Sequence, residues 1–385
     1  MGIRKSSLEQ WFNQILPQLH EPGRTALIHT RSGIFSAMDA DAPPGGIKPS
    51  PVRLLPVSGD ASFRRYFRAC SGELAFILVD APPDKEGCES FVLIAQRFLQ
   101  AGVNVPVVHA VDYTAGFMCL SDLGDTLLLA RLEQARQLEH GMLAVDGYYR
   151  QAFASLLKIQ SCKVGGDFSL PVYDRALLDR ELALFREWFC ERLLGLRLEA
   201  RERRLIDEAF AMLRESALAQ PQVCVHRDFH SRNLLVAEGR PLGVIDFQDA
   251  VLGPLSYDLV SLLKDCYIDW PRSQVERWAL AYAALALEHK IVPVVDEARF
   301  LRDFDLMGAQ RHLKAIGIFA RLRLRDDKSA YLQAIPRTLN YLREVAGAYD
   351  TLAEFGTWLD SRVVPVLEPA LAAAGVNAVT AGDGK

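Results

Sequence analysis

The sequence has no apolar run of about 18 residues, the length a helix needs to cross a bilayer, and its start, MGIRKSSLEQWFNQ, lacks the apolar core of a secretory signal. A cytoplasmic chain with no membrane partner is therefore expected. Basic blocks are absent too: 44 Lys and Arg stand against 48 Asp and Glu, a formal net charge of −4. With no cationic stripe to track a phosphate backbone, nucleic acid is not expected as a partner. The seven cysteines (Cys70, Cys88, Cys119, Cys162, Cys190, Cys224, Cys266) are odd in number and never stand as Cys-x-x-Cys. They read as reduced, mostly buried thiols, not as a disulfide framework or zinc cage. What remains is 385 residues, 50% hydrophobic, enough to bury a sizeable core in one two-lobed domain or two close-packed ones.

Chemistry concentrates in one stretch, VCVHRDFHSRNLLVAEGRPLGVIDFQDAVLGPLSYD, from Val223 to Asp258. It sets His226, Asp228 and Asn233 in a short loop, then a strand pattern, a turn at Glu238 to Pro241, a second strand pattern (Leu242, Val244, Ile245) and Asp246. Phosphoryl transfer from a nucleotide needs these parts. A carboxylate must orient the acceptor hydroxyl and take its proton, which suits Asp228; a divalent ion on the phosphates needs oxygen ligands, which suit Asn233 and Asp246. Mg2+ and ATP are the implied cofactors. The stretch resembles kinase-like loops, and that resemblance implies that His226, two residues before the base, ties its ring into the loop and that Asp258 braces it.

His-Arg-Asp, four residues, then Asn is the catalytic-loop spacing of protein kinases, and Asp246-Phe247-Gln248 stands where Asp-Phe-Gly is expected. The long activation segment of a protein kinase is missing: Gly253-Pro254-Leu255-Ser256-Tyr257-Asp258 follows within about a dozen residues and no Ala-Pro-Glu occurs there. The chain thus resembles the aminoglycoside phosphotransferase and choline kinase superfamily, from about Val52 to Arg343. HRDFHSRN with VIDFQDAVLGPLSYDLVSLLKDCYIDWP looks most like the bacterial anomeric kinases of cell-wall recycling, which act on N-acetylmuramate and N-acetylglucosamine. The resemblance implies an α+β, protein-kinase-like, two-lobed fold with a β-rich first lobe and a mostly helical second. It also implies a small sugar as partner, and a monomer is expected.

The first lobe is expected over residues 52–124, after a helix (Leu8 to Leu19, broken near Pro17) and an irregular segment (Glu21 to Ser50) that together fill residues 1–51. Strand patterns at Val52 to Val57 and Phe63 to Ala69 flank Ser58-Gly59-Asp60-Ala61-Ser62. Taken alone that loop is an ordinary hairpin turn or a phosphate loop; its place upstream of the catalytic loop favours the second, with backbone N–H groups over the phosphates. The strand Phe76 to Asp80 lacks the lysine that grips nucleotide phosphates in kinases. Arg64, Arg65, Arg68 and Lys85 are the candidates to replace it, with Arg64 preferred, and Glu86 or Glu89 the candidates to anchor it. Solvated surface positions are the competing reading for all of them. Around Ser121, Asp122 and Leu123 the resemblance places the hinge, where adenine would bond to main-chain groups.

The second lobe, residues 125–385, reads as helices from Thr126, with Ala176 to Leu194 and Arg201 to Ala219 repeating apolar residues at helical spacing. Trp188 and Phe189 read as core, and Asp174 as a helix N-cap. In the helix Phe304 to Leu324 the resemblance puts Arg311, His312 and Lys314 on the sugar side, where a carboxylate-bearing substituent would favour a cation; a solvated helix face is the alternative. His230 and Arg232 are within reach of the acceptor or γ-phosphate, or else support the loop. Two rival functions stand beside the sugar kinase: a kinase of an aminoglycoside, choline or amino alcohol, and a nucleotide-binding pseudokinase suggested by the missing lysine.

Overall fold

The strands are β1 (Ile28–Thr30), β2 (Leu54–Val57), β3 (Arg65–Ser71), β4 (Leu74–Asp80), β5 (Val108–Asp112) and β6 (Phe117–Ser121); β1 lies inside the Glu21 to Ser50 segment expected to be irregular, where Ile28, His29 and Thr30 pair with Ala110, Val111 and Asp112 of β5. These strands form one sheet in the order β1-β5-β6-β4-β3-β2, antiparallel except for the parallel β1–β5 pair. The structure is a computed structural model and describes residues 2–20, 27–30, 53–57, 63–72, 74–166 and 168–375. The expected phosphate loop Ser58, Gly59, Asp60, Ala61 and Ser62 lies outside the described residues, as do most of the Glu21 to Ser50 segment and the tail beyond residue 375.

Helix α1 (Gly2–Leu19) packs on the sheet through Leu8, Trp11, Phe12, Ile15 and Leu16, the three-and-four spacing that puts five side chains on one stripe. They meet Phe67, Ala69, Phe76 and Leu78, and the indole of Trp11 donates to Thr30 Oγ1 at 2.7 Å. Pro17 does not end this helix, which runs on to Leu19. Helix α2 (Glu89–Gln100) buries Phe91, Val92, Ile94, Ala95 and Phe98. It begins at Glu89, so Glu86 sits in the loop before it.

The chain divides into two compact units, one of residues up to Leu127 with Leu234–Asp249, the other of Leu128–Asn233 with all that follows from Ala250. The hairpin Leu234–Leu235 and Gly243–Val244, read from sequence as part of the second lobe, thus belongs with the sheet unit. The reason is visible in its neighbours: Val244 N donates to Asn104 O at 2.8 Å, and Phe247 packs on Phe91 and Phe98 of α2 with ring centroids 4.8 and 5.8 Å away.

The second unit is helical: α3 (Leu128–Arg136), α4 (Gly141–Gln160), α5 (Arg175–Leu184), α6 (Ala200–Leu218), α7 (Tyr257–Leu263), α8 (Arg272–Glu288), α9 (Glu297–Asp326) and α10 (Ile335–Ala348) lead its described elements. Asp174 caps α5, accepting from Leu177 N at 2.8 Å, and α5 runs straight into a π-helical segment, Phe185–Leu193. There Phe189 is fully buried, while Trp188 is partly buried under Arg192. Strand β7 (Gln222–Val225) pairs antiparallel with Val251–Pro254, so the catalytic loop leaves from the end of a two-stranded ladder. All seven cysteines are free; Cys88, Cys119, Cys190, Cys224 and Cys266 are buried. No described helix is long and apolar enough to cross a membrane.

The 30-residue α9 is the central helix of this unit, begun by the Asp296 side chain accepting from Arg299 N at 3.1 Å and ended by Asp327 in the left-handed region, φ +55°. Gly317 lets it press against the junction of α5 and the π segment: a Cβ there would lie 2.4 Å from the Leu184 carbonyl carbon and 2.6 Å from Phe185 N. Backbone cannot yield as a side-chain tip can. Gly317→Ala should therefore lower stability by about 1–3 kcal/mol in thermal or denaturant unfolding, although alanine alone favours a helix by about 1 kcal/mol. A variant as stable as the parent would show that the helices do not meet this closely.

Candidate active site

The start of the loop that follows β7 is held by one carboxylate. Asp258, fully buried in the first turn of α7, accepts from His226 N at 2.7 Å and Arg227 N at 3.0 Å. Burial pushes its carboxyl up to about 7 and the nearby Asp228 charge adds to this, while the two N–H donors pull the other way. Arg227 takes φ +76°, which turns the chain so that Asp228 follows. Two more bonds close the loop: Asp228 N donates to His226 Nδ1 at 3.3 Å, and Asn233 Nδ2 donates to Asp228 O at 3.0 Å. His226 is fully buried and ties its ring into the loop, as the sequence led us to expect.

Asp228 lines a cavity of about 140 Å3 within the helical unit, together with His230, Asp265, Arg311 and Lys314. Tyr267, Phe319 and Tyr331 add aromatic surface. Burial alone would raise the pKa of Asp228, but the charges of Lys314, His230, Arg311 and Arg227 outweigh it and hold the carboxyl below its usual range. Burial lowers His230, whose Nδ1 accepts from Arg232 N at 3.3 Å. Arg232 lies over the rings of Tyr267 and Tyr331, its guanidinium carbon 4.7 and 5.7 Å from their centroids.

Arg311, His312 and Lys314, whose alternative reading was a solvated face, are all buried, because α9 is enclosed by its neighbours along this stretch. They do different things. Lys314 Nζ contacts Glu181 at 3.2 Å and donates to the Tyr257 hydroxyl at 2.8 Å. Glu181 is also bound by Arg227 at 2.7 Å and by the Tyr173 hydroxyl. Arg311 makes one polar contact, Nη1 to Cys266 Sγ at 3.9 Å, and its Nε has no partner among the described residues. His312 does not line the cavity; it stacks on Tyr341 at 4.9 Å with Nε2 3.0 Å from the Lys264 carbonyl, and burial takes its pKa down to about 3. It is a core histidine, not a sugar contact.

In the sheet unit Asp246 follows the hairpin at φ +66°, with Gln248 Nε2 donating to its Oδ1 at 2.8 Å. Of the cations weighed against the missing lysine, Arg65 pairs with Asp80, Arg68 is held by Asp122 and Asp125, and Lys85 is half-exposed beside Asp84. Arg64 is buried, 7% exposed, and its Nε lies 3.0 Å from Glu86 Oε2. Tyr66 faces it, pushed up to about 12 chiefly by burial and further by Asp246 and Glu86, with Arg64 acting in the opposite sense. One basic and two acidic side chains thus surround this phenol. In the expected hinge, Ser121 N and Val107 O pair at 2.9 Å, the Asp122 carboxylate is used on Arg68 and Gly124 N, and Leu123 packs over Gly243.

Two acidic positions that hold this region together escaped the sequence reading. Glu181 sits at apolar spacing with Leu178, Leu182 and Phe185, and a carboxylate in such a stripe was the signal that a buried cation would meet it. Asp265 accepts from Ser231 N at 2.9 Å, from the Ser231 hydroxyl at 2.5 Å and from Tyr267 N at 3.0 Å, a role no local pattern announces. Replacing Glu181 by leucine strands Arg227 and Lys314 without their shared anion, and should cost about 3–5 kcal/mol in denaturant unfolding. Burial raises the pKa of Glu181 but the two cations override it and hold it low. Its stabilisation is therefore complete above the unfolded value of about 4.3 and fades as pH falls through the lower folded value. Wild-type stability in the Leu variant at pH 7 would contradict this.

The model of the phosphotransferase enzyme family matches residues 53–301. The N-acetylmuramate/N-acetylglucosamine kinase of Pseudomonas putida is 43% identical over 303 residues, 79% of this chain and 86% of that protein. The protein of the same description from Neisseria meningitidis serogroup B is 44% identical over 299 residues, 77% of this chain and 86% of that one. Among solved structures, the ethanolamine kinase of Plasmodium vivax superposes with a TM-score of 0.55 at 12% identity, covering 75% of this chain and 81% of that one, which is likeness of fold. With its sheet unit, its helical unit and the loop that Asp258 braces, the chain belongs to the phosphotransferase enzyme family.

Proposed function

We propose that the chain transfers the γ-phosphoryl group of ATP to the anomeric hydroxyl of N-acetylmuramate or N-acetylglucosamine, giving the α-1-phosphate in the reuse of cell-wall sugars. The observation that carries this reading is the Asp228 carboxylate, held ionised by cations and opening into a small cavity with aromatic walls. The relatives of more than 40% identity supply the acceptor. Asp228 would orient the sugar hydroxyl and receive its proton as the P–O bond forms. An anomeric hydroxyl is more acidic than an ordinary alcohol, and a loose transition state asks for little base strength, so a carboxylate held low suffices.

Asn233 and Asp246 offer oxygen donors, the chemistry that a hard divalent ion takes; the Asn233 nitrogen donates to the Asp228 carbonyl, which leaves its oxygen as the atom for a metal. Among the described residues no three His, Cys, Asp or Glu side chains could hold a metal by themselves, so Mg2+ would draw further ligands from the nucleotide. When bound it would neutralise charge on the transferring phosphoryl group. Arg64, anchored by Glu86, would take the place of the missing lysine on the phosphates, with the amides of Ser58 to Ser62 over them and adenine against the backbone of Ser121 to Leu123. An anchored cation weighs against a pseudokinase. The buried cations Arg311 and Lys314 weigh against a polycationic aminoglycoside.

ADP release should depend on N-acetylmuramate or N-acetylglucosamine, and stay at background with kanamycin, choline or no acceptor. Release only with the last group of acceptors would overturn the sugar assignment, and none with any acceptor would overturn the kinase. Asp228→Asn should lower kcat by about 10²–10⁴ with the fold retained by circular dichroism, and Arg64→Ala should act chiefly on KM for ATP. Because the Asp228 pKa is depressed, the base is ionised from neutrality down to the ordinary carboxylate range, so the limb due to the base in kcat/KM should fall below about pH 4; a limb near pH 6 that persists in Asp258→Asn would name another base.

A further inference from the structure

Apart from the Asp228 carboxylate, the charged groups around the acceptor cavity have a direct counter-charge or hydrogen bonds in every case but one. Lys314 is matched by Glu181 and Tyr257, Asp265 by Ser231 and the Tyr267 amide, and Arg227 by Glu181. Arg311 is the exception. It is 6% exposed, no carboxylate lies within ion-pair distance of it among the described residues, and its contact with Cys266 Sγ is long. The charges of Asp228 and Asp265 act on it from a distance, but no carboxylate bonds its guanidinium and its buried Nε is left without a hydrogen-bond acceptor among the described residues, which is costly. Its fork of N–H groups matches a carboxylate in two parallel bonds. Four residues on, one turn further along α9, Ala315 lines the same cavity, followed by Ile318, so the cation adjoins apolar wall. A substituent that carries both a carboxylate and a methyl group satisfies both.

We infer that Arg311 is the residue through which the acceptor cavity recognises a carboxylate on the sugar, and so sets the preference for N-acetylmuramate over N-acetylglucosamine. The inference rests on the sugar-kinase reading above. The two sugars differ by the lactyl arm alone, which supplies the anion that Arg311 lacks. The other anion available to it is the phosphoryl group in transfer, and the two sources make different predictions. A phosphate contact serves both sugars alike; a lactyl contact serves one.

The test is the ratio of kcat/KM for N-acetylmuramate to that for N-acetylglucosamine, measured on the full chain with ATP and Mg2+. In Arg311→Gln the ratio should fall by about 10- to 100-fold, the worth of a charge-assisted pair, and Arg311→Lys should restore part of it. An unchanged ratio, with both activities lowered together, would overturn the inference and assign Arg311 to the phosphate or to Asp228. Binding is read separately by melting: N-acetylmuramate without nucleotide should raise Tm of the parent more than N-acetylglucosamine does, and this difference should vanish in the Gln variant. Selective binding without turnover of either sugar would uphold the inference while overturning the kinase reading, whereas equal shifts by both sugars in the parent would overturn the inference. The unliganded Gln variant should melt close to the parent, because it loses a buried guanidinium that makes no direct ion pair.

Discussion

The paired amides of His226 and Arg227 on the buried Asp258 carboxylate are the constraint on which the catalytic geometry rests. A loop that must present a carboxylate cannot rely on its own packing, since its backbone groups would otherwise go to water. Asp258 takes two of those groups at once from a rigid helix start, and the left-handed turn at Arg227 then directs the next residue. The His226 ring and the Asn233 amide close the remainder from within. Asp228 is therefore positioned by residues that lie within the loop or directly beneath it.

Below the loop lies a second layer, in which one acid holds two bases. Glu181 on α5 joins Arg227 of the loop to Lys314 of α9, with Tyr173 as a further donor. Such a group in a helical core costs desolvation and is kept only if each member is satisfied. What it provides is electrostatic: net positive charge near Asp228, which keeps a half-buried carboxylate ionised where burial would otherwise neutralise it. On the sheet side Arg64 and Glu86 form another buried or half-buried pair, in a unit whose strand β4 carries no lysine.

Much of this was legible beforehand. His226, Asp228, Asn233, Asp246 and Asp258 stand at spacings fixed by a hairpin and a short loop, and local chemistry reports such spacings directly. The strands and helices followed from periodicity, and so did the docking stripe of α1. Less visible was anything set by long-range packing. Glu86 could not be told from Glu89 until α2 was seen to start at Glu89. His312, adjacent to Arg311, turns to the Lys264 carbonyl because successive helical residues point about 100° apart, and a cluster of three basic letters does not say which of them faces a cavity. Nor did sequence assign the hairpin to the sheet unit, since that depends on Phe247 meeting two rings of α2.

The backbone contact at Gly317 has a bearing on how acceptor preference can diverge. With α9 seated against Leu184 and Phe185, sliding or rotating that helix is sterically barred. The lining of the cavity then changes only through individual side chains on a stationary wall, at Arg311, Ala315 or Ile318, while Lys314, next to Ala315 in sequence, stays bound to its acid. The scaffold separates the part that can drift from the part that keeps the base charged.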